Sequence, residues 1–314
     1  MNRLTVSSSP HIRTAKNTRS IMLDVIIAML PTAIAGCIIF GFHAALVLAV
    51  STASAVAAEA IFNLVTKKAQ TVGDFSAVVT GLLVGLNVHA GTQLWQVAVG
   101  SVFAIVVVKC LFGGLGCNFA NPAITGRIFM LLCFSGTVAG GVLPTLGTGS
   151  AELVTGATPL SQISSGNISA LPSLPDMFIG MRAGAIGEVC GAAILVGFVY
   201  LVVRGIIKWE VPVIFVGTVF ALSLIITNSF TISLYEVLGG GLLISAVFMA
   251  TDYVTTPITR VGKWVFAFGA GLITVLIRFF GVYPEGVSFA ILFMNILSPY
   301  IEKWTAKAPL GGKK

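Results

Sequence analysis

FGGLGCNFANPAI (residues 112–124) resembles FFGVYPEGVSFAI (residues 279–291), in a chain of 314 residues. Each stretch breaks an apolar run with Gly, Pro and polar residues and then resumes it. Two broken segments at corresponding places in two halves are how membrane folds line a central site with backbone and polar groups. The echo extends outward at a spacing of about 160 to 167 residues. TGLLVGL (80–86) resembles GGLLISA (240–246), and Asp24-Val25 and Glu188-Val189 each lie near the start of an apolar run that Gly41 or Gly205 closes.

Composition places these runs in a bilayer. Charged residues make up 9% of the chain and apolar residues 56%, with a mean hydropathy of +1.00. A typical soluble domain is about 25% charged. A fold of this length has too little interior to hide so much apolar surface, whereas a bilayer supplies apolar solvent. The formal charge of +7 needs no nucleic acid, because Lys and Arg gathered in cytoplasmic loops account for it.

Ten apolar segments are expected, at 22–42, 44–65, 76–88, 94–112, 122–143, 184–204, 210–227, 234–250, 263–281 and 286–302. A spanning helix needs about 20 residues, so the third is too short to cross alone. Five segments per half is an odd number, which turns the second half upside-down relative to the first. The expected fold is therefore an all-α polytopic membrane protein with two inverted five-segment repeats. Chance similarity among Gly- and Leu-rich helices is the competing explanation of the echo.

Basic residues recur in alternate connections: Arg3, Arg13, Lys16 and Arg19, then Lys67 and Lys68, Lys109 by the fourth connection, Arg204 and Lys208, Arg260 and Lys263, and Lys303, Lys307, Lys313 and Lys314. Arg182 and Arg278 are exceptions on the other side. Both termini are then cytoplasmic. The expected organisation is a cytoplasmic arm (1–21), a first membrane repeat (22–143), an outer loop (144–183), a second repeat (184–302) and a cytoplasmic tail (303–314).

Acids inside a membrane are expensive and point to function. Asp24, Glu59, Glu188 and Glu285 are the candidates for an ion path. Asp252 and Glu302 stand nearer the interfaces. The alternative is that such acids are solvated or paired with a base such as Arg278. The five cysteines and three histidines show no metal-ligand spacing. The Gly-rich runs match no dinucleotide fingerprint, and no residue is assigned a catalytic role.

The outer loop contains LVTGATPL (153–160), a short hydroxyl-bearing segment expected to be exposed and pliable. Spacing alone leaves it an ordinary loop. The chain nevertheless resembles the family that comprises the D subunit of the Rnf complex and the B subunit of the Na⁺-translocating NADH:quinone reductase. RSIMLDVIIAMLP, FNLV, TGLL, NPAITGR, TGATPL, GEVC, MATDYVTTPIT and YPEGVSFAILFMN carry the resemblance.

The resemblance implies a urea/ammonium-transporter-like fold and a covalent FMN. In that family the last threonine of S/T-G-A-T is esterified to the FMN phosphate, and here that residue is Thr158. Two departures stand out. Glu152 occupies a place where flavinylation motifs commonly have Asp, and LNVHA (86–90) replaces a Leu-Pro-Pro-like run.

The implied role is a subunit of a redox-driven Na⁺ or H⁺ pump that relays electrons between ferredoxin and NAD and is inactive alone. It implies a bacterial or archaeal inner membrane, other membrane and peripheral subunits (a second flavin carrier among them) and a flavin transferase. It leaves room for a second, non-covalent flavin such as riboflavin. The alternative is a small-solute channel or transporter of the same fold without a redox role, and the TGAT loop is what separates the two.

Overall fold

The computed structural model describes residues 17–146, 154–281 and 285–306. The expected arm as far as residue 16, Glu152, and the tail from residue 307 lie outside the described residues. The described chain is mostly helical. The first half holds α1 (Thr18–Phe40), α2 (Phe42–Val65), α3 (Ser76–Leu86), α4 (Leu94–Phe103), α5 (Pro122–Cys133) and the single turn α6 (Ser135–Val138). Two short helices follow, α7 (Pro159–Ser164) and α8 (Leu174–Ile179). The second half holds α9 (Gly191–Val203), α10 (Glu210–Thr227), α11 (Phe230–Leu238), α12 (Leu242–Ile244), α13 (Arg260–Phe280) and α14 (Val287–Thr305).

Local chemistry sets the helix ends. Asn17 and Ser20 form a reciprocal box at the start of α1: Ser20 N donates to Asn17 Oδ1 at 2.9 Å and Asn17 N to Ser20 Oγ at 3.2 Å. At the start of α5, Asn121 Oδ1 accepts from Ala123 N at 3.0 Å. Pro122 then fills a first-turn position that has no use for an N–H. Gly240, at φ +62°, separates α11 from α12.

Among the described residues, four helices (α1, α2, α10 and α13) are long and apolar enough to cross a bilayer. The pair Phe230–Leu238 and Leu242–Met249, bent by 61°, makes a fifth candidate. Ser76–Leu86, Leu94–Cys110, Pro122–Cys133 and Gly191–Val203 are shorter apolar helices. Large apolar side chains such as Ile38, Leu64, Val203 and Phe280 point outward. The protein is a multi-pass, all-α membrane protein.

The helices pack in pairs both between and within the two halves of the sequence. α1 lies on α9 and α5 on α14, α2 packs on α3 and α4, and α10 packs on α11 and α13. Glycine permits close crossings: a Cβ at Gly197 of α9 would sit 2.3 Å from the Ala28 carbonyl of α1. The stretches Ala104–Cys110 and Ser245–Met249 are π-helical, a wide turn that occurs frequently at functional sites.

Besides the run 234–250, broken at Gly239–Gly241, two further expected segments depart from continuous helix. The run 122–143 is helical only to Cys133, apart from the turn α6, and then supplies the strand β1 (Gly141–Val142). The run 184–204 becomes helical only at Gly191. Their non-helical parts face each other: a Cβ at Gly141 would lie 2.6 Å from the Gly184 amide nitrogen. Ala185, Ile186 and Val189 are buried there in protein. An apolar run reports burial, and its periodicity does not distinguish a lipid-facing helix from a buried extended strand.

Candidate functional site

The TGAT segment is built into the fold. Thr155–Gly156 forms β2, antiparallel to β1, with Gly141 opposite Gly156 and Val142 opposite Thr155. Val142 also bridges to Gly184, so the TGAT segment is tied, through β1, to the start of the second half of the chain. Thr158 caps α7 in extended conformation, its Oγ1 accepting from Ser161 N at 3.3 Å. Ser161 Oγ donates back to the Thr158 carbonyl at 2.7 Å. The segment was expected to be exposed and pliable; Val154, Thr155 and Ala157 are exposed, whereas Thr158, Pro159 and Leu160 are buried. Thr158 is only 5% exposed, because capping and strand pairing turn it inward.

Thr158 and Ser161 line a cavity of about 210 Å³. Ile128, Val138 and Phe289 give it apolar walls, and Asn87, His89, Arg127 and Glu285 supply polar groups. A mostly apolar pocket with a few convergent polar groups is the usual form of a cofactor site. Arg127, on α5, donates through Nη1 to Asn87 Oδ1 at 3.0 Å and pairs through Nη2 with Glu285. His89 is buried, and its Nδ1 has no hydrogen-bond partner among the described residues. Burial holds its imidazole below the usual histidine range, partly offset by the Thr137 backbone and the charge of Glu285. A neutral ring leaves one nitrogen as acceptor and one as donor.

Two further Arg–Glu pairs lie close by. Arg278 Nη1 contacts Glu236 Oε2 at 3.0 Å, and its Nε donates to the Glu285 carbonyl at 3.1 Å. Arg182 Nη2 donates to the Glu188 and Leu238 carbonyls at 2.8 and 2.7 Å. Its Nη1 stands 3.5 Å from Glu188 Oε1. That Nη1 and both carboxylate oxygens of Glu188 lack hydrogen bonds among the described residues.

On the far side of this cavity, Asn87 Nδ2 donates to Met249 Sδ at 3.8 Å and Asn121 Nδ2 to the Met249 carbonyl at 3.3 Å. Beyond that plug lies a second cavity of about 90 Å³, reached by Lys109, Asn118 and Asp252.

The structure gathers some of the expected acids here and not others. Glu285 lines the cavity, and Glu188 lies three residues beyond Ala185 in its wall. Asp24 accepts from Tyr200 OH at 2.9 Å and Arg204 Nη2 at 3.0 Å. Glu59 accepts from Lys109 Nζ at 2.9 and 3.0 Å and from Thr71 Oγ1 at 2.6 Å. Asn87, His89 and Glu236 were not singled out from sequence. Their signal was a polar residue inside or beside an apolar run: Asn87 and His89 in LNVHA, Glu236 in the eighth segment.

A multi-pass helical membrane protein with a buried, partly charged cavity between two packed halves is the class these features define. The chain belongs to the NQR2, RnfD, RnfE family, whose model matches residues 5–311.

It is 42% identical over 313 residues to the D subunit of the Na⁺-translocating ferredoxin:NAD⁺ oxidoreductase complex of Acetobacterium woodii, covering 99% of this chain and 96% of that protein. It is 38% identical over 325 residues to the D subunit of the proton-translocating complex of Clostridium ljungdahlii, covering 100% and 98%. It is 35% identical over 320 residues to the D subunit of an ion-translocating oxidoreductase complex of Stutzerimonas stutzeri, covering 90% and 89%.

Proposed function

We propose that this chain is the membrane subunit of an Rnf-type, ion-translocating ferredoxin:NAD⁺ oxidoreductase and carries FMN as a phosphoester on Thr158. The observation that carries the proposal is the position of Thr158, which ends the TGAT motif and opens on a cavity holding a guanidinium and a histidine nitrogen with no partner among the described residues. These residues suit the cofactor. Thr158 supplies the acceptor hydroxyl, Arg127 and His89 supply polar contacts, and Ile128, Val138 and Phe289 offer flat apolar surface. Bound there, the flavin would supply electron relay between centres on partner subunits.

The protein's own contribution is to hold and to seal. Thr158 fixes the tether at the mouth, the β1–β2 clamp keeps the mouth in place, and the plug at Asn87, Met249 and Asn121 separates the outer cavity from the inner one. Glu285 and Glu188 are the acids placed on the ion path, because they adjoin the cavity. Asp24 and Glu59 sit in complete ion pairs and anchor helices. The relatives' names divide between Na⁺ and H⁺, and the ion here is either.

The same proposal includes ten membrane segments in two inverted repeats, spanning 22–143 and 184–302. The pairing of α1 with α9 and of α5 with α14, one segment from each half, supports it. Both termini would then be cytoplasmic and residues 144–183 on the outer face of the inner membrane. Other Rnf subunits would flank the chain, and a flavin transferase would mature it.

The test is flavin fluorescence on a denaturing gel of protein made together with its transferase. Thr158→Ala should abolish the fluorescent band while the protein still inserts. A fluorescent Thr158→Ala band would overturn the assignment.

A further inference from the structure

At the membrane face where α9 ends and α10 and α13 begin, a cavity of about 240 Å³ opens between Lys208, Val211, Thr251, Tyr253, Ile258 and Lys263. It lies outside the site described above. Lys208 and Lys263 both border it. Neither donates a hydrogen bond or pairs with a carboxylate among the described residues. The carboxylate that acts on Lys263, Glu210, is already spent. It accepts from Arg260 Nε at 3.0 and 3.2 Å and from Trp264 Nε1 at 2.9 Å.

The hydroxyls of the cavity are committed as well. Thr251 and Thr256 each donate to a backbone carbonyl at 2.6 Å, and Tyr253 donates to the Ile206 carbonyl. Glu210 acts on both lysines at a distance, but neither has a carboxylate of its own among the described residues, and two like charges bordering one cavity favour an anion between them.

The surroundings say where the anion comes from. Trp209, Trp264, Tyr253, Val261 and Ile258 are 40 to 78% exposed around the opening. Exposed Trp and Tyr at a helix end mark the level of lipid headgroups, and basic pockets between helix ends at that level bind anionic headgroups. A water-soluble anion would leave the apolar rim bare, whereas acyl chains cover it. We infer that Lys208 and Lys263 form a binding site for the phosphate of an anionic phospholipid, whose acyl chains lie on the exposed rim at Ile258 and Val261. The site owes nothing to the flavin proposal and stands if that proposal fails.

Native mass spectrometry of the full chain in detergent, titrated with phosphatidylglycerol and separately with phosphatidylcholine, tests it. Wild type should prefer phosphatidylglycerol. Each lysine neutralised should weaken that binding roughly fivefold, so K208Q/K263Q should fall to the phosphatidylcholine level and K208R/K263R should hold. K67Q, elsewhere on the surface, should change nothing.

Lys208 is exposed, so K208Q alone provides the fivefold step if the double variant fails to fold. Equal affinity for the two lipids, or unchanged preference in K208Q/K263Q, would overturn the site. So would displacement of the lipid by millimolar inorganic phosphate, which would make it a free-phosphate site. Loss of the preference in the assembled complex, with a crosslink from position 208 to another subunit, would overturn it in favour of a protein partner.

Discussion

Two buried acid–base pairs in this molecule are built to different standards. Lys109 donates from Nζ to both oxygens of Glu59 and to Ser76 Oγ at 2.6 Å. Thr71 donates to Glu59, and Asn63 donates to Thr71 at 3.0 Å. Every charge there has its hydrogen bonds. Arg182 and Glu188, no less buried, stand 3.5 Å apart with three of their polar atoms unpartnered among the described residues. A buried ion pair repays its desolvation only when geometry and additional hydrogen bonds are complete. The first pair is finished as structure. The second is left open, and on the proposed function this suits a group that exchanges partners during a working cycle.

Breaking the finished pair should have the larger effect. Lys109→Ala leaves the Glu59 carboxylate buried and uncompensated, a loss of about 3–5 kcal/mol, read as a lowered melting temperature of the purified chain. Removing both charges together, in E59Q/K109M, should recover most of that loss. A double variant no more stable than the single would show that packing, and not the charge, dominates at this site.

Altering the open pair should act on coupling. Glu188→Gln preserves shape and removes the charge. It should lower ion transport relative to electron transfer by a coupling free energy on the order of 1–3 kcal/mol. Both fluxes are measured in the same vesicles and normalised to covalent flavin. Parallel loss of both, at reduced protein abundance, would place Glu188 with Glu59 as structure.

The smallest effect is expected at Asp24, whose partner Arg204 is half exposed, with a side chain 54% accessible. Exposed pairs contribute little. Asp24→Asn should leave both the flux ratio and the melting temperature near wild type, and a shifted ratio would move Asp24 onto the ion path.

The contrast was only half legible in the sequence. Glu59 and Glu188 look alike there, each an acid within an apolar run. What separates them is the partner, and Lys109 lies 50 residues from Glu59, beyond the reach of local pattern. Helix positions were more readable, because apolar run length and flanking Gly and Asn-Pro follow directly from backbone chemistry. The runs at 122–143 and 184–204 misled because Val142, Ile186 and Val189 are as apolar as lipid-facing residues and are buried against protein. Thr158 was legible only through family resemblance. Its burial was not, since that follows from pairing with Gly141 and Val142 across a segment the sequence marks simply as polar.

The buried cap at Thr158 also bears on the order of assembly. An enzyme that esterifies this hydroxyl must surround it, yet in the folded chain the oxygen faces a cavity and the residue is only 5% accessible. If Thr158 carries the flavin as proposed, its modification belongs to a stage when β2 has not yet docked on β1, or to a local opening that frees residues 155–164 while the helices stay packed. Such openings cost less free energy than global unfolding where the pairing is short, and this strand pair spans two residues on each side. The brevity of the clamp thus sets a window for maturation: long enough for a transferase to reach the threonine, and closed again once the segment returns to its place.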